Sequence, residues 1–267
     1  NFQDAVPGQM SYTPEDRQLF EQMMEDLSPH ADEPLGELVV LTGRWFLETP
    51  YVAHTLEGDR EILVINLREL DCTTFAENCL AIARTIRSGS PSFERFAKEL
   101  RFIRYRDGRM GDYPTRLHYF CDWIYNNEQK GVIRDVSRGT GGVNLGKEIG
   151  FMSSHPENYR QLAADSSLVE TIRRQEEDIN ERPLYHIPES RVGELENRLK
   201  AGDIAGITTD IEGLAVMHVG ILLPVGGRIH LLHASSSAEK VVISDVPLED
   251  YLAEANRATG IMCARPL

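Results

Sequence analysis

Long apolar runs, a positive charge balance, paired cysteine motifs and the familiar catalytic signatures are all missing from this chain of 267 residues. The longest candidate for a membrane span, Gly213 to Val225, contains His218 and Pro224 and is too short to cross a bilayer. A net charge of −14 argues against nucleic acid or an anionic membrane surface as partner. The 4 cysteines, Cys72, Cys79, Cys121 and Cys263, include no CxxC pair, which excludes a zinc ribbon or a thioredoxin-type site. Four in so long a chain do not make a disulfide scaffold. HExxH, GxSxG and a strand-borne GxGxxG are absent. The spacing of His118, His155, His218 and His233 is not that of a metal site, so neither metal nor cofactor is expected. The chain begins at Asn1 without a signal-peptide pattern, and a trimmed start that has lost its address label is the expectation.

What is present is enough apolar residue, 41%, for a sizeable core. Residues 1 to 12 read as a mobile leader and residues 13 to 267 as one domain, since no linker marks a boundary. Thr13-Pro14-Glu15-Asp16 is a helix start: Thr as cap, Pro at the first position, acids in the first turn. Further helices are predicted over Leu35 to Leu47, Cys72 to Ser88, Ser92 to Ile103, Arg116 to Tyr125, Ser166 to Asn180 and Val192 to Lys200. From Ile204 the pattern changes to strands: Ile204–Thr209, Leu214–Leu223, Ile229–Ala234, Lys240–Ile243 and Ile261–Arg265, with Gly226-Gly227 as a hairpin turn. Helices first and an antiparallel meander last indicate an α+β fold.

Asp71-Cys72 opens the third of these helices. A free cysteine is commonly a buried packing residue. At a helix N-terminus, however, backbone N–H groups and the macrodipole favour a thiolate, so a lowered pKa is expected. Cys79, Cys121 and Cys263 lack that context and read as core. His218 stands in an almost wholly apolar strand (AVM-H-VGI), where a polar ring needs a reason. His230 and His233 follow on the next strand. Strand alternation points them to opposite faces, so at most one can orient His218. Cysteine, histidine and an orienting polar group, on a helix and two strands, read as a papain-like cysteine hydrolase. Gly141 to Lys147 has P-loop spacing, but Glu148 stands where Ser or Thr must hold magnesium, so a surface loop is the better reading. Arginines 104, 106, 109 and 116 interleave with Tyr105, Tyr113, Tyr119 and Trp123, a set suited to sugar rings and carboxylates as well as to a solvated face.

The quoted residues resemble the NlpC-type cell-wall cysteine peptidases, with Asp71-Cys72, His218-Val219-Gly220-Ile221 and His233-Ala234 as the three marks. The likeness is closer to the cysteine-dependent N-acetylmuramoyl-L-alanine amidases. Its blocks include Thr49-Pro50-Tyr51-Val52, Arg116-Leu117-His118-Tyr119-Phe120, Asp122-Trp123-Ile124, Phe151-Met152-Ser153 and His155-Pro156, spread over roughly residues 35 to 267. At Ala76 a bulkier apolar residue is expected. The resemblance implies a papain-like NlpC-type core, a helix bearing the cysteine packed on an antiparallel sheet, with helical and loop insertions. Selectivity is expected in an insertion around 101–156. It implies Cys72 as nucleophile, His218 as proton carrier and His233 as its orienter. For the pocket it implies Tyr51, Arg116, His118, Asp122, Trp123, Met152, Ser153 and His155. The implied reaction is cleavage of the amide between N-acetylmuramic acid and L-alanine in soluble 1,6-anhydro-muropeptides, outside the cytoplasm and in a periplasm. The alternatives are a γ-D-glutamyl-diaminopimelate endopeptidase built on the same core, or a muropeptide-binding module whose thiol is idle.

Overall fold

A computed structural model describes residues 10 to 267. The helices are α1 (Pro14–Leu27), α2 (Leu35–Trp45), α3 (Cys72–Arg87), α4 (Phe93–Arg104), α5 (Phe120–Gln129), α6 (Phe151–Ser154), α7 (Arg160–Ala164), α8 (Ser166–Asn180), α9 (Glu189–Leu195) and α10 (Leu248–Glu254). The strands are β1 (Met10–Ser11), β2 (Leu63–Val64), β3 (Ile133–Asp135), β4 (Val143–Asn144), β5 (Tyr185–Pro188), β6 (Ile204–Thr209), β7 (Val216–Val225), β8 (Arg228–Ser235), β9 (Lys240–Ile243) and β10 (Ala258–Pro266). This is a mixed α+β fold. Of the expected leader, residues 1 to 9 lie outside the described residues. Met10 and Ser11 pair in parallel with Leu63 and Val64.

The main sheet runs β4-β5-β10-β6-β7-β8-β9, with β3 also on β10, and every pair is antiparallel. The expected meander holds from β6 to β9. It fails at β10, which returns to lie between β5 and β6, so the last strand is central rather than at an edge. Its residues Gly260 to Ala264 are buried, as a strand covered on both faces requires. The salt bridge Arg265–Asp203 (2.8 Å) locks it to the approach of β6.

Period-2 alternation divides the strands between two cores. Val219, Ile221, Leu223, Leu232 and Ala234 face α2 and α3. Leu222, Ile229, Leu231, Ile207 and Ile261 face α9 and α10, meeting Val192, Leu195, Leu248 and Leu252. Each fully buried Leu, Ile or Phe side chain contributes about 1.5–3 kcal/mol. Gly226-Gly227 closes the β7–β8 hairpin from the Val225↔Arg228 pair, both residues at positive φ (57° and 80°) as a two-residue turn of that hand requires.

α3 is the central helix. Asp71 and Thr74 form a capping box at its start. Most of its side chains are buried, including Glu77, an acid inside a core. Glu77 is admitted because Arg104 Nε lies 3.0 Å away and Trp123 Nε1–H donates to its other oxygen at 3.2 Å. Arg104 also donates to the Val64 carbonyl at 2.7 Å. That buried network ties α3 to α4, α5 and β2.

Candidate active site

The β7–β8 ladder runs from the hairpin turn only as far as Ile221↔Leu232. Beyond it, β7 continues on β6 and β8 continues on β9, so the two strands part into a V. His218 lies on one arm and His233 on the other. Both belong to the face that carries Leu222 and Leu231. His218 Nε2 and His233 Nδ1 are 2.7 Å apart, with the rings nearly perpendicular. Gly220 makes the close approach possible: a Cβ there would come within 2.5 Å of Leu231 and 3.2 Å of the His233 Cβ. His230 belongs to the opposite face and its Nδ1 contacts the Ser244 carbonyl at 2.8 Å. Of the two competitors, His233 is therefore the one that meets His218.

Cys72, the first residue of α3, reaches into the mouth of the V, where the Val219 backbone hydrogen-bonds its sulfur. Cys72 and His218 line one narrow cleft of about 110 Å³, with Thr73, His118, Tyr119 and Leu214 among its walls. The capping box accounts for the N–H groups of Asp71 and Thr74, the Thr73 N–H turns to the Cys72 sulfur, and that of Cys72 is left at the open end of the helix.

The electrostatics correct one expectation. The Cys72 thiol is pushed up to about 11, not down, first by burial and then by the Asp71 carboxylate; hydrogen bonds from Val219 and Thr73 recover only part. Burial lowers His218 to about 4. Burial and then the His218 charge lower His233 to about 3. Desolvation thus outweighs the helix N-terminus, and at rest the three groups are neutral.

The other expected residues divide by distance from the sulfur. Tyr51 is close: its phenol is raised by burial first and by the Cys72 charge next. His118 lines the cleft, with its Nε2 donating to the Tyr113 carbonyl at 2.7 Å; burial and then Arg116 hold it well below the usual histidine range. Arg116 is buried between Glu57 (2.9 Å) and Glu61 (3.0 Å). Asp122 is buried between Arg106 (2.6 Å) and Arg182 (3.0 Å). Trp123 is wholly buried, stacked on Phe120 and bonded to Glu77. These three stand behind the cleft rather than in its wall. Met152 and Ser153 are held from behind Tyr119: Met152 N–H donates to the Tyr119 hydroxyl (2.8 Å), which itself donates to Glu176 (2.5 Å), and Ser153 N–H reaches Glu176 at 3.2 Å. His155 turns its Nδ1 to the Phe151 carbonyl at 2.9 Å and stacks on that ring. The Gly-rich loop is no nucleotide cradle, for Lys147 donates to the carbonyls of Thr209 and Ile211.

Sequence reasoning missed Val219 and Tyr251. Val219 acts through its backbone, and Tyr251 arrives from α10, which carried no motif. Cys121, read as core, also borders the cleft. Among the described residues no three His, Cys, Asp or Glu side chains gather as a metal set would, and no helix is long and apolar enough to cross a membrane.

Two crystal structures of an N-acetylmuramoyl-L-alanine amidase from Bacteroides uniformis share this fold. One is 39% identical over 87% of this chain and 98% of its own, with a TM-score of 0.80. The other is 40% identical over 87% and 99%, with a TM-score of 0.81. A Legionella pneumophila protein, 18% identical over 95% of this chain and 93% of its own, has the same fold at a TM-score of 0.70. Among curated proteins none matches this sequence. The AmiA-like family model, described as N-acetylmuramoyl-L-alanine amidase-like, matches residues 41–261, and the chain belongs to that family.

Proposed function

We propose that this protein is a papain-like, NlpC-type cysteine amidase that cleaves the bond between N-acetylmuramic acid and L-alanine in soluble muropeptides, outside the cytoplasm. The observation that carries the reading is that Cys72, at a helix N-terminus, and His218, bonded to His233, line one cleft at the parting of β7 and β8. The amidase name of relatives that are 39–40% identical supports the bond assigned. The preference for the 1,6-anhydro form rests on the motif resemblance, and a narrow cleft favours a small fragment over an intact sacculus.

The chemistry follows from neutral resting groups. His218 donates its Nε2–H to His233 Nδ1, which leaves His218 Nδ1 bare as an acceptor. As the Cys72 sulfur attacks the lactyl carbonyl, its proton passes to His218 Nδ1, and His233 stabilises the imidazolium. The oxyanion takes the Cys72 N–H, with the Tyr51 hydroxyl as second donor. His218 returns the proton to the leaving amine of L-alanine and a thioester remains. Water then adds with His218 as base, releasing the lactyl carboxylate and restoring the thiol. His118, neutral and with Nε2 committed to Tyr113, offers only an acceptor to the bound fragment.

The test is digestion of anhydro-muropeptide by the wild type and Cys72→Ala, read by mass spectrometry. Free anhydro-disaccharide plus intact stem peptide, lost in the variant, is the expected result. Cleavage within the stem would instead make it an endopeptidase, and binding without turnover would make it a binding module.

A further inference from the structure

Tyr251 projects from α10, which packs on the face of the sheet opposite α3 through Leu248 and Leu252. Its ring meets His233 edge-on, with centroids 5.4 Å apart and planes at 80°. His233 and Tyr251 together border a hollow of about 620 Å³ whose wall also carries Glu48, Lys240, Asp245 and Glu254. A polar space of that size holds water. His218 borders the cleft and His233 the hollow, and Tyr251 stands on the hollow's side of the pair. The Tyr251 phenol is raised by burial and then by the charge of Cys72, so the ring lies within the field of the thiol as well.

We propose that Tyr251 is a positioning residue whose ring shields the His218–His233 hydrogen bond from the water of the hollow and keeps His233 Nδ1 turned toward His218. The inference rests on the reading of His218 as proton carrier. Water that reached the pair would compete for both nitrogens and raise the local dielectric, weakening the bond that fixes the His218 tautomer. It would also let His233 rotate and present a carbon in place of Nδ1. The titratable groups around the pair are Cys72 on α3 and its cap Asp71, Tyr51 ahead of it, His118, Tyr119 and Cys121 across the cleft, Lys240 on β9 paired with Glu48, and Asp245 and Glu254 round the hollow.

The experiment has two readouts on wild type, Tyr251→Phe and Tyr251→Leu. The first is hydrogen exchange of the imidazole N–H between the two histidines, followed by NMR in the resting protein. Tyr251→Phe is expected to match the wild type, and Tyr251→Leu to exchange about tenfold faster. The second is the pH profile of kcat/KM. Neutral histidines are the active form, so their lowered pKa values place the acid limb below the ordinary 6.5. Opening the pair to water moves that limb upward by about one unit in Tyr251→Leu, with kcat reduced and KM little changed. Tyr251→Gln, at the same half-buried place, replaces Tyr251→Leu if the latter folds poorly. Unchanged exchange and an unchanged limb in a folded Tyr251→Leu overturn the shield. So does a Tyr251→Phe as impaired as Tyr251→Leu, since the hydroxyl would then be the active part. Failure of the wild type to cut muropeptide refutes the proposed reaction, while the exchange measurement still decides the shield.

Discussion

α1 and α3 begin with the same device and put it to different ends. At α1, Thr13 and Asp16 close a capping box around Pro14, which has no N–H to offer. Asp16 is buried, and its other oxygen receives the Leu67 N–H at 2.9 Å, so the whole cap is used to fasten the helix to the chain after β2. At α3, Asp71 and Thr74 close an equivalent box around Cys72 and Thr73, which keep their N–H groups. The outer donors are satisfied by side chains; of the inner ones the Thr73 N–H turns to the Cys72 sulfur and that of Cys72 is left for the proposed oxyanion. On the proposed function, the residue at the first helical position separates an anchor from a reactive centre.

The sharpest way to break the comparison is Cys72→Ala. It is expected to lower kcat/KM at least ~10⁴-fold while leaving the melting temperature near that of the wild type. Tyr51→Phe, which spares the helix but removes the proposed second oxyanion donor, is expected to cost about 10²–10³ in kcat. Glu77→Ala attacks what lies beneath α3. It leaves Arg104 buried without its partner and is expected to destabilise by about 3–5 kcal/mol in denaturant unfolding. The cap pair sharpens the contrast most directly. Thr13→Ala and Asp71→Ala should each lose about 0.5–2 kcal/mol of stability, but only Asp71→Ala should also lose amidase turnover. A gentler probe is pH. His218 and His233 are neutral in the fold below the ordinary 6.5, where the unfolded chain takes up protons. Stability should therefore fall as pH drops from about 6.5 toward 4, and a Cys72→Ala protein should show the same slope.

Local features were legible in the sequence and distant ones were not. Thr13 is a cap as read and α3 starts at Cys72 as read, because a helix start needs only the next three residues. β6, β9 and α8 have the bounds that periodicity gives. β5 (Tyr185–Pro188) and α10 went unseen, being four and seven residues long with little periodicity to read. The place of β10 depends on pairing with residues far back in the chain, which no local pattern encodes. The burial of Glu77 follows from Arg104 and Trp123 being placed beside it by packing, which no local pattern encodes. The thiol was misread for a related reason: a helix start is visible in sequence, whereas the burial that outweighs it is not. His233 was separable from His230 only after the ladder register was known.

The parting of β7 and β8 has a consequence for biosynthesis. Cys72 leaves the ribosome before either arm of the V. Until those strands pair up to Ile221 and Leu232 and then diverge, the sulfur has no base beside it and no Val219 amide against it. On the proposed mechanism a nascent chain is inert toward amides until the sheet is complete. On the same proposal, proteolysis that removes β7 to β9 leaves Cys72 in place and abolishes turnover.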